Sequence, residues 1–208
     1  MSTADASLPP AFVTQPLPLA TEPLRRRARP AAWWGMVLVV TTEAMIFAGL
    51  LSSWFYLRAT SDQWPIGGLP RPKLWPIWAY SLVLVGSSIP VHLAHRAVPR
   101  GRRRAARVWL AVGFVMGAAF LARTAWDFAH AEFPIDRNAY ASIFHTTVGL
   151  HALHVLAGLL MSAGVQVKLA TGRVDRRRHL SVEMFTLYWH FVDAVWIAVF
   201  ASLYLSMH

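Results

Sequence analysis

Two histidine-containing pairs and one isolated carboxyl are the side chains of this sequence best suited to chemistry. His190 and Asp193 stand three residues apart in Tyr188-Trp189-His190-Phe191-Val192-Asp193-Ala194-Val195-Trp196, and His151 and His154 stand three apart in a second apolar run. Three residues of an α-helix place both members of a pair on one face. Imidazoles at that spacing can share a metal ion. An imidazole beside a carboxylate can form an acid–base couple. Glu43 differs, because no Lys, Arg or His lies three or four residues from it to neutralise it. A lone carboxyl in an apolar span suits proton handling, or a hydrogen bond to a neighbouring helix or lipid. Charged groups in such spans are costly and are expected to face protein or water.

Each pair also has a plainer reading. The two histidines can fix packing by inter-helix hydrogen bonds, which is favoured because a metal enzyme needs further ligands converging at defined spacing. His190 and Asp193 can fasten helices together, each satisfying the other or a histidine across the contact.

The elements that must position these residues are membrane spans. Of the 208 residues 56% are hydrophobic and only 14% charged, whereas soluble domains carry about 25% charged residues. Apolar runs are expected at residues 33–57, 76–94, 105–128, 140–169 and 180–207. Twenty-five residues of helix rise about 37 Å, enough to cross a hydrocarbon core of about 30 Å. The expected architecture is therefore an all-α membrane protein: a five-helix transmembrane domain over residues 33–208, behind a tail at 1–32. That tail has six prolines and no hydrophobic period, so it is read as irregular. There is no cysteine, so thiolate metal sites and iron–sulfur clusters are excluded in this chain.

The formal charge of +10 comes from short arginine clusters between apolar runs. That is the pattern of cytoplasmic loops and lipid-headgroup contacts, not of a nucleic-acid-binding surface. Fifteen Lys and Arg fall in the tail and alternate connections, against four in the other loops. This bias puts the N-terminus in the cytoplasm and the C-terminus outside. Depth then follows at about 1.5 Å per residue. Glu43, His151, His154, His190 and Asp193 fall in one layer, from the inner half to the middle of the bilayer. Two stripes result: Glu183, Leu187, His190, Asp193 and Ile197 on the fifth span, and Thr147, His151, His154, Gly158 and Ser162 on the fourth. His92 and His95 are expected to snorkel at the inner end of the second span, and Arg123 to pair with Asp127. Tryptophans near the span ends, Trp64 among them, are read as interfacial anchors.

The Tyr188–Trp196 segment closely resembles the last helix of cytochrome c oxidase subunit III. Thr42-Glu43-Ala44-Met45-Ile46-Phe47-Ala48-Gly49 resembles that family's glutamate-bearing helix. Gly149-Leu150-His151-Ala152-Leu153-His154-Val155-Leu156-Ala157-Gly158 resembles its paired-histidine helix. Glu183 also fits. The resemblance implies a subunit of a bacterial inner-membrane oxidase with no catalytic residue, metal or redox centre of its own. It implies packing on subunit I, with haems and copper in subunits I and II and cytochrome c as the donor. It implies bound phospholipid and a role in proton uptake and in prolonging the enzyme's working life. Glu43 then matches the carbodiimide-reactive glutamate. Lys168 matches a lipid-phosphate contact, with Arg176, Arg177 and Arg178 as further headgroup candidates; His151, His154, Glu183, His190 and Asp193 are buried packing groups. Two features depart from the family: five helices where many members have seven, and Arg123 with Trp126-Asp127 where a Gln and a Glu are common. The subunit III of a quinol oxidase and the accessory protein of nitric oxide reductase are alternatives within the family. A histidine-box metalloenzyme is the reading from another class; it suffers from the lack of any adjacent His-His pair. A transporter lacks support, since no repeat is visible.

Overall fold

Lipid offers no partner to backbone N–H and C=O groups, so apolar runs of this length close their hydrogen bonds internally as helices. The computed structural model describes residues 30–69, 74–175 and 178–205. Most of the proline-rich tail, residues 1–29, and Arg176 and Arg177 lie outside the described residues. The helices are α1 (Ala31–Thr60), α2 (Leu74–Gly86), α3 (Ser88–Ala97), α4 (Arg103–Ala129), α5 (Ala139–Ala170) and α6 (Leu180–Leu203). Among the described residues there is no strand. Helices α2 and α3 follow one another as a single stretch, Trp75–Ala97, so five stretches are long and apolar enough to cross a membrane.

The helices run one to three residues past several expected ends, and depart further in two places. The second span is not one continuous helix over 76–94. It breaks at Ser87 and continues to Ala97. Pro90 has no N–H to return to the Gly86 carbonyl, and its ring crowds that turn. The last helix stops at Leu203 rather than running to 207. Elsewhere local chemistry sets the ends. Asn138 caps α5 by accepting from the Ala141 N–H at 2.9 Å, and its amide donates to the Ile66 carbonyl at 2.8 Å, tying the α1–α2 connection to α5. Gly172, at φ 73°, supplies the left-handed residue that ends α5.

Helix α3 packs on α4 and α6, α5 packs on α4 and α6, and α1 lies against α5 and α6. The Trp189 indole of α6 joins these contacts. A Cβ on Gly117 of α4 would meet the ring at 2.6 Å, and one on Gly158 of α5 would meet it at 2.8 Å. Only hydrogen at these two positions lets the helices close on the indole. Its Nε1–H donates to Ser87 Oγ at 2.9 Å, at the break between α2 and α3. One turn pair further along, Trp196 Nε1–H donates to Ser81 Oγ at 3.0 Å. Trp64, in the α1–α2 connection, packs edge-on against Trp54 at 4.9 Å and beside Tyr140 at 5.2 Å.

Substituting Gly158→Ala should destabilise the detergent-solubilised protein by about 1–3 kcal/mol through overpacking. Gly164→Ala, where an added Cβ meets nothing within 4 Å, should leave the thermal unfolding midpoint unchanged. Equal midpoints for the two variants would contradict the clamp.

Candidate functional site

Glu43 has a partner that its own helix could not supply. It lies on the inner stripe of α1 with Phe47 and Trp54, which are buried in the core, and Val40 and Leu51, which are partly buried against it. Its Oε2 is 3.1 Å from His154 Nε2 of α5. His154 Nδ1 donates to the Leu150 carbonyl at 2.8 Å. With Nδ1 committed as a donor, the contact at Nε2 holds one shared proton: either Nε2–H donates to a carboxylate, or the carboxyl O–H donates to Nε2. The reading of Glu43 as an isolated carboxyl is therefore corrected, and its other reading, a bond to a neighbouring helix, is what the fold presents. Phe47 packs edge-on against His154 at 5.1 Å. The Tyr188 hydroxyl donates to the His154 carbonyl at 3.3 Å.

His190 and Asp193 share a partner too, but it is neither each other nor a histidine across the contact. Ser88, the first residue of α3, lies between them. Its hydroxyl donates to Asp193 Oδ2 and sits 2.9 Å from His190 Nδ1. One hydroxyl has one proton, so while it donates to the carboxylate it accepts from the imidazole. Asp193 is buried, and its Oδ1 has no hydrogen-bond partner among the described residues. Nothing in the residue pattern singled out Ser88. The signal available was a Ser-Ser pair just before Pro90 in the middle of an apolar span.

The polar stripes of α5 and α6 thus do not face each other. His154 turns to α1, and the His190–Asp193 face turns to α3. His151 goes elsewhere again. It is fully buried, lies at 4.7 Å from Trp196 and is edge-on to Phe120 at 5.8 Å. Neither of its ring nitrogens has a hydrogen-bond partner among the described residues. Inter-helix hydrogen bonding describes His154 but not His151, which is held by aromatic packing. Among the described residues no group of three or more His, Cys, Asp or Glu is placed to hold a metal ion.

Glu183 is half-buried rather than buried, at the basic rim, where its Oε1 meets His179 Nε2 at 3.0 Å. His95 is half-buried as well, with Nδ1 enclosed and unpartnered among the described residues, rather than snorkelling outward. Lys168 Nζ donates to Ser181 Oγ at 3.1 Å and, with Arg173 and Arg178, lines a recess of about 280 Å³. At the opposite rim Arg123 pairs with Asp127 at 2.7 Å. That ion pair borders a cavity of about 260 Å³ between α2, α4, α5 and α6.

A double-mutant cycle on Glu43→Gln and His154→Phe should return a coupling of about 0.5–3 kcal/mol, the range for residues in direct contact. Additive effects on thermal unfolding would contradict the contact.

The geometry can be set beside known proteins. The family model described as cytochrome c oxidase subunit III matches residues 28–207. The chain is 34% identical to the cytochrome c oxidase subunit 3 of Synechocystis sp. over 173 residues, covering 83% of this chain and 74% of that protein. It is 31% identical to the protein of that name in Thermostichus vulcanus over 172 residues, 82% of this chain and 85% of the relative. With the Coturnix japonica protein it shares 30% identity over 177 residues, 82% of this chain and 68% of that one. All three blocks that hold Glu43, the paired histidines and the Tyr188–Trp196 segment lie inside the matched region. The chain is a multi-pass membrane protein belonging to the cytochrome c oxidase subunit III family.

Proposed function

We propose that the chain is the non-catalytic subunit III of a bacterial respiratory oxidase that passes electrons from cytochrome c to oxygen and pumps protons. The observation that carries this is the family match over residues 28–207. Cytochrome c as the donor is supported by the names of the relatives. The chain sits in the inner membrane with its arginine-rich rim in the cytoplasm, as the Lys and Arg bias supports. It packs on subunit I beside subunit II, which together hold the haems and copper, and it holds no redox centre itself.

Glu43 is the proton-linked group of this reading. Its contact with His154 supports that role, because a shared proton between a carboxyl and an imidazole can move without leaving a net charge in the span. Lys168 and Arg178 are the headgroup ligands for a phospholipid phosphate, with Arg176 and Arg177 beside them in sequence. The recess they border at the rim supports this, since anionic lipid is attracted to clustered basic side chains.

Purification from native membranes through a tag on this chain tests the assignment. Haem should follow the tagged chain in the complex and be absent from the chain produced alone. A tagged chain free of haem, or iron or zinc bound stoichiometrically to the chain alone, would overturn it. Glu43→Gln should leave the complex assembled while changing proton-coupled turnover or how long it lasts. Unchanged turnover and inactivation kinetics across pH would refute the role of Glu43.

A further inference from the structure

A file of protonatable side chains runs between α3 and α6, separate from the Glu43–His154 pair. It starts at the basic rim with His179 and Glu183, 3.0 Å apart. His95 and His92 of α3 come next, with ring centres 6.5 Å apart, and His92 lies 6.4 Å from His190 of α6. The file ends inside the bundle, where Ser88 joins His190 to Asp193. We propose that this α3–α6 seam is a proton-exchange site linking the aqueous phase at the basic rim to the Asp193 carboxyl.

The inner step needs no atom beyond those present. With His190 as an imidazolium, its Nδ1–H bond breaks as a new Ser88 Oγ–H bond forms. The original Ser88 O–H bond breaks as the Asp193 Oδ2–H bond forms. The imidazole keeps its Nε2–H, both hydrogen bonds reverse direction, and one proton has passed from imidazolium to carboxylate. Imidazolium and carboxylate become two neutral groups, so no charge is stranded in the span. The reverse transfer uses the same atoms.

The outer steps run through water. Ring centres more than 6 Å apart are too far for direct nitrogen contact and suit a bridging water. His92 is exposed on the chain's surface, where lipid tails alone would leave an imidazole unsatisfied. Enclosed polar atoms such as His95 Nδ1 and Asp193 Oδ1, both without a partner among the described residues, are the kind that ordered water serves.

The charges of the surrounding helices stand at the edges of the seam. Helix α4 begins with Arg103, Arg104 and Arg107 at the basic rim. Lys168 of α5 is held at Ser181, Glu43 of α1 is taken up by His154, and Tyr80 of α2 lies at the far end beside Arg123. The seam is independent of the role given to Glu43, and the control below separates the two.

Infrared spectroscopy of the assembled complex tests the proposal. The protonated-carboxyl stretch of Asp193 is identified by its loss in Asp193→Asn, or by its shift in Asp193→Glu should the first variant fail to assemble. On transfer to heavy water the band should shift rapidly in the wild type and in Glu43→Gln. In His92→Phe and in Ser88→Ala the shift should slow by roughly a hundredfold, the lower end of the range for a positioned proton-transfer group. Unaltered exchange in both variants would overturn the proposal. So would the absence, at every pH where the complex is stable, of any such band that depends on Asp193.

Discussion

The contact of the Trp189 indole with two glycines constrains the rest of the bundle. Gly117 and Gly158 bring α4 and α5 against the six-membered part of the ring, and the indole N–H reaches the break between α2 and α3. One side chain of α6 therefore fixes three neighbouring elements at once. Association of helices in lipid gains little from hydrophobic burial and depends on close packing and polar contacts. Trp189 supplies both. The break at Ser87 belongs to the same constraint. Pro90 frees the helix from a straight path, and Ser87 accepts the indole proton there while Ser88, the next residue, faces the polar pair of α6.

That register divides the intramembrane polar groups into separate places. Residues three apart lie about 60° from one another around a helix, close enough to share a face and far enough to meet different neighbours. His151 and His154 do the latter. One is enclosed by Trp196 and Phe120, and the other meets Glu43 of α1. His190 and Asp193 do the former, through Ser88. Each arrangement leaves a carboxyl with an imidazole within reach, directly for Glu43 and through a hydroxyl for Asp193. Carboxyls are tolerated in a span when such a partner allows them to be neutral or paired.

The spans were legible because long apolar runs permit little besides helices in lipid. The family resemblance was legible in the blocks that also hold the key polar residues. The pairings were not. Glu43 and His154 are 111 positions apart, and no local pattern encodes a contact at that range. Ser88 was hidden for another reason. Hydroxyls in helices ordinarily turn back to the carbonyl four residues earlier, as Thr41, Ser53, Thr124 and Thr186 do here. A serine that instead reaches across to another helix looks the same in sequence. Gly117 was missed because its role depends on a ring contributed by a helix more than 70 residues later in the chain.

The central claim is that the chain's intramembrane carboxyls are partnered across helices, in places fixed by the Trp189 clamp. A density map of the assembled oxidase in native lipid, at a resolution that orients side chains, tests it most directly. The account predicts the Trp189 ring between Gly117 and Gly158, Glu43 against His154, and Ser88 between His190 and Asp193. A map with Glu43 turned into lipid away from His154, or with His190 and Asp193 facing α5 and Ser88 apart from both, would contradict it.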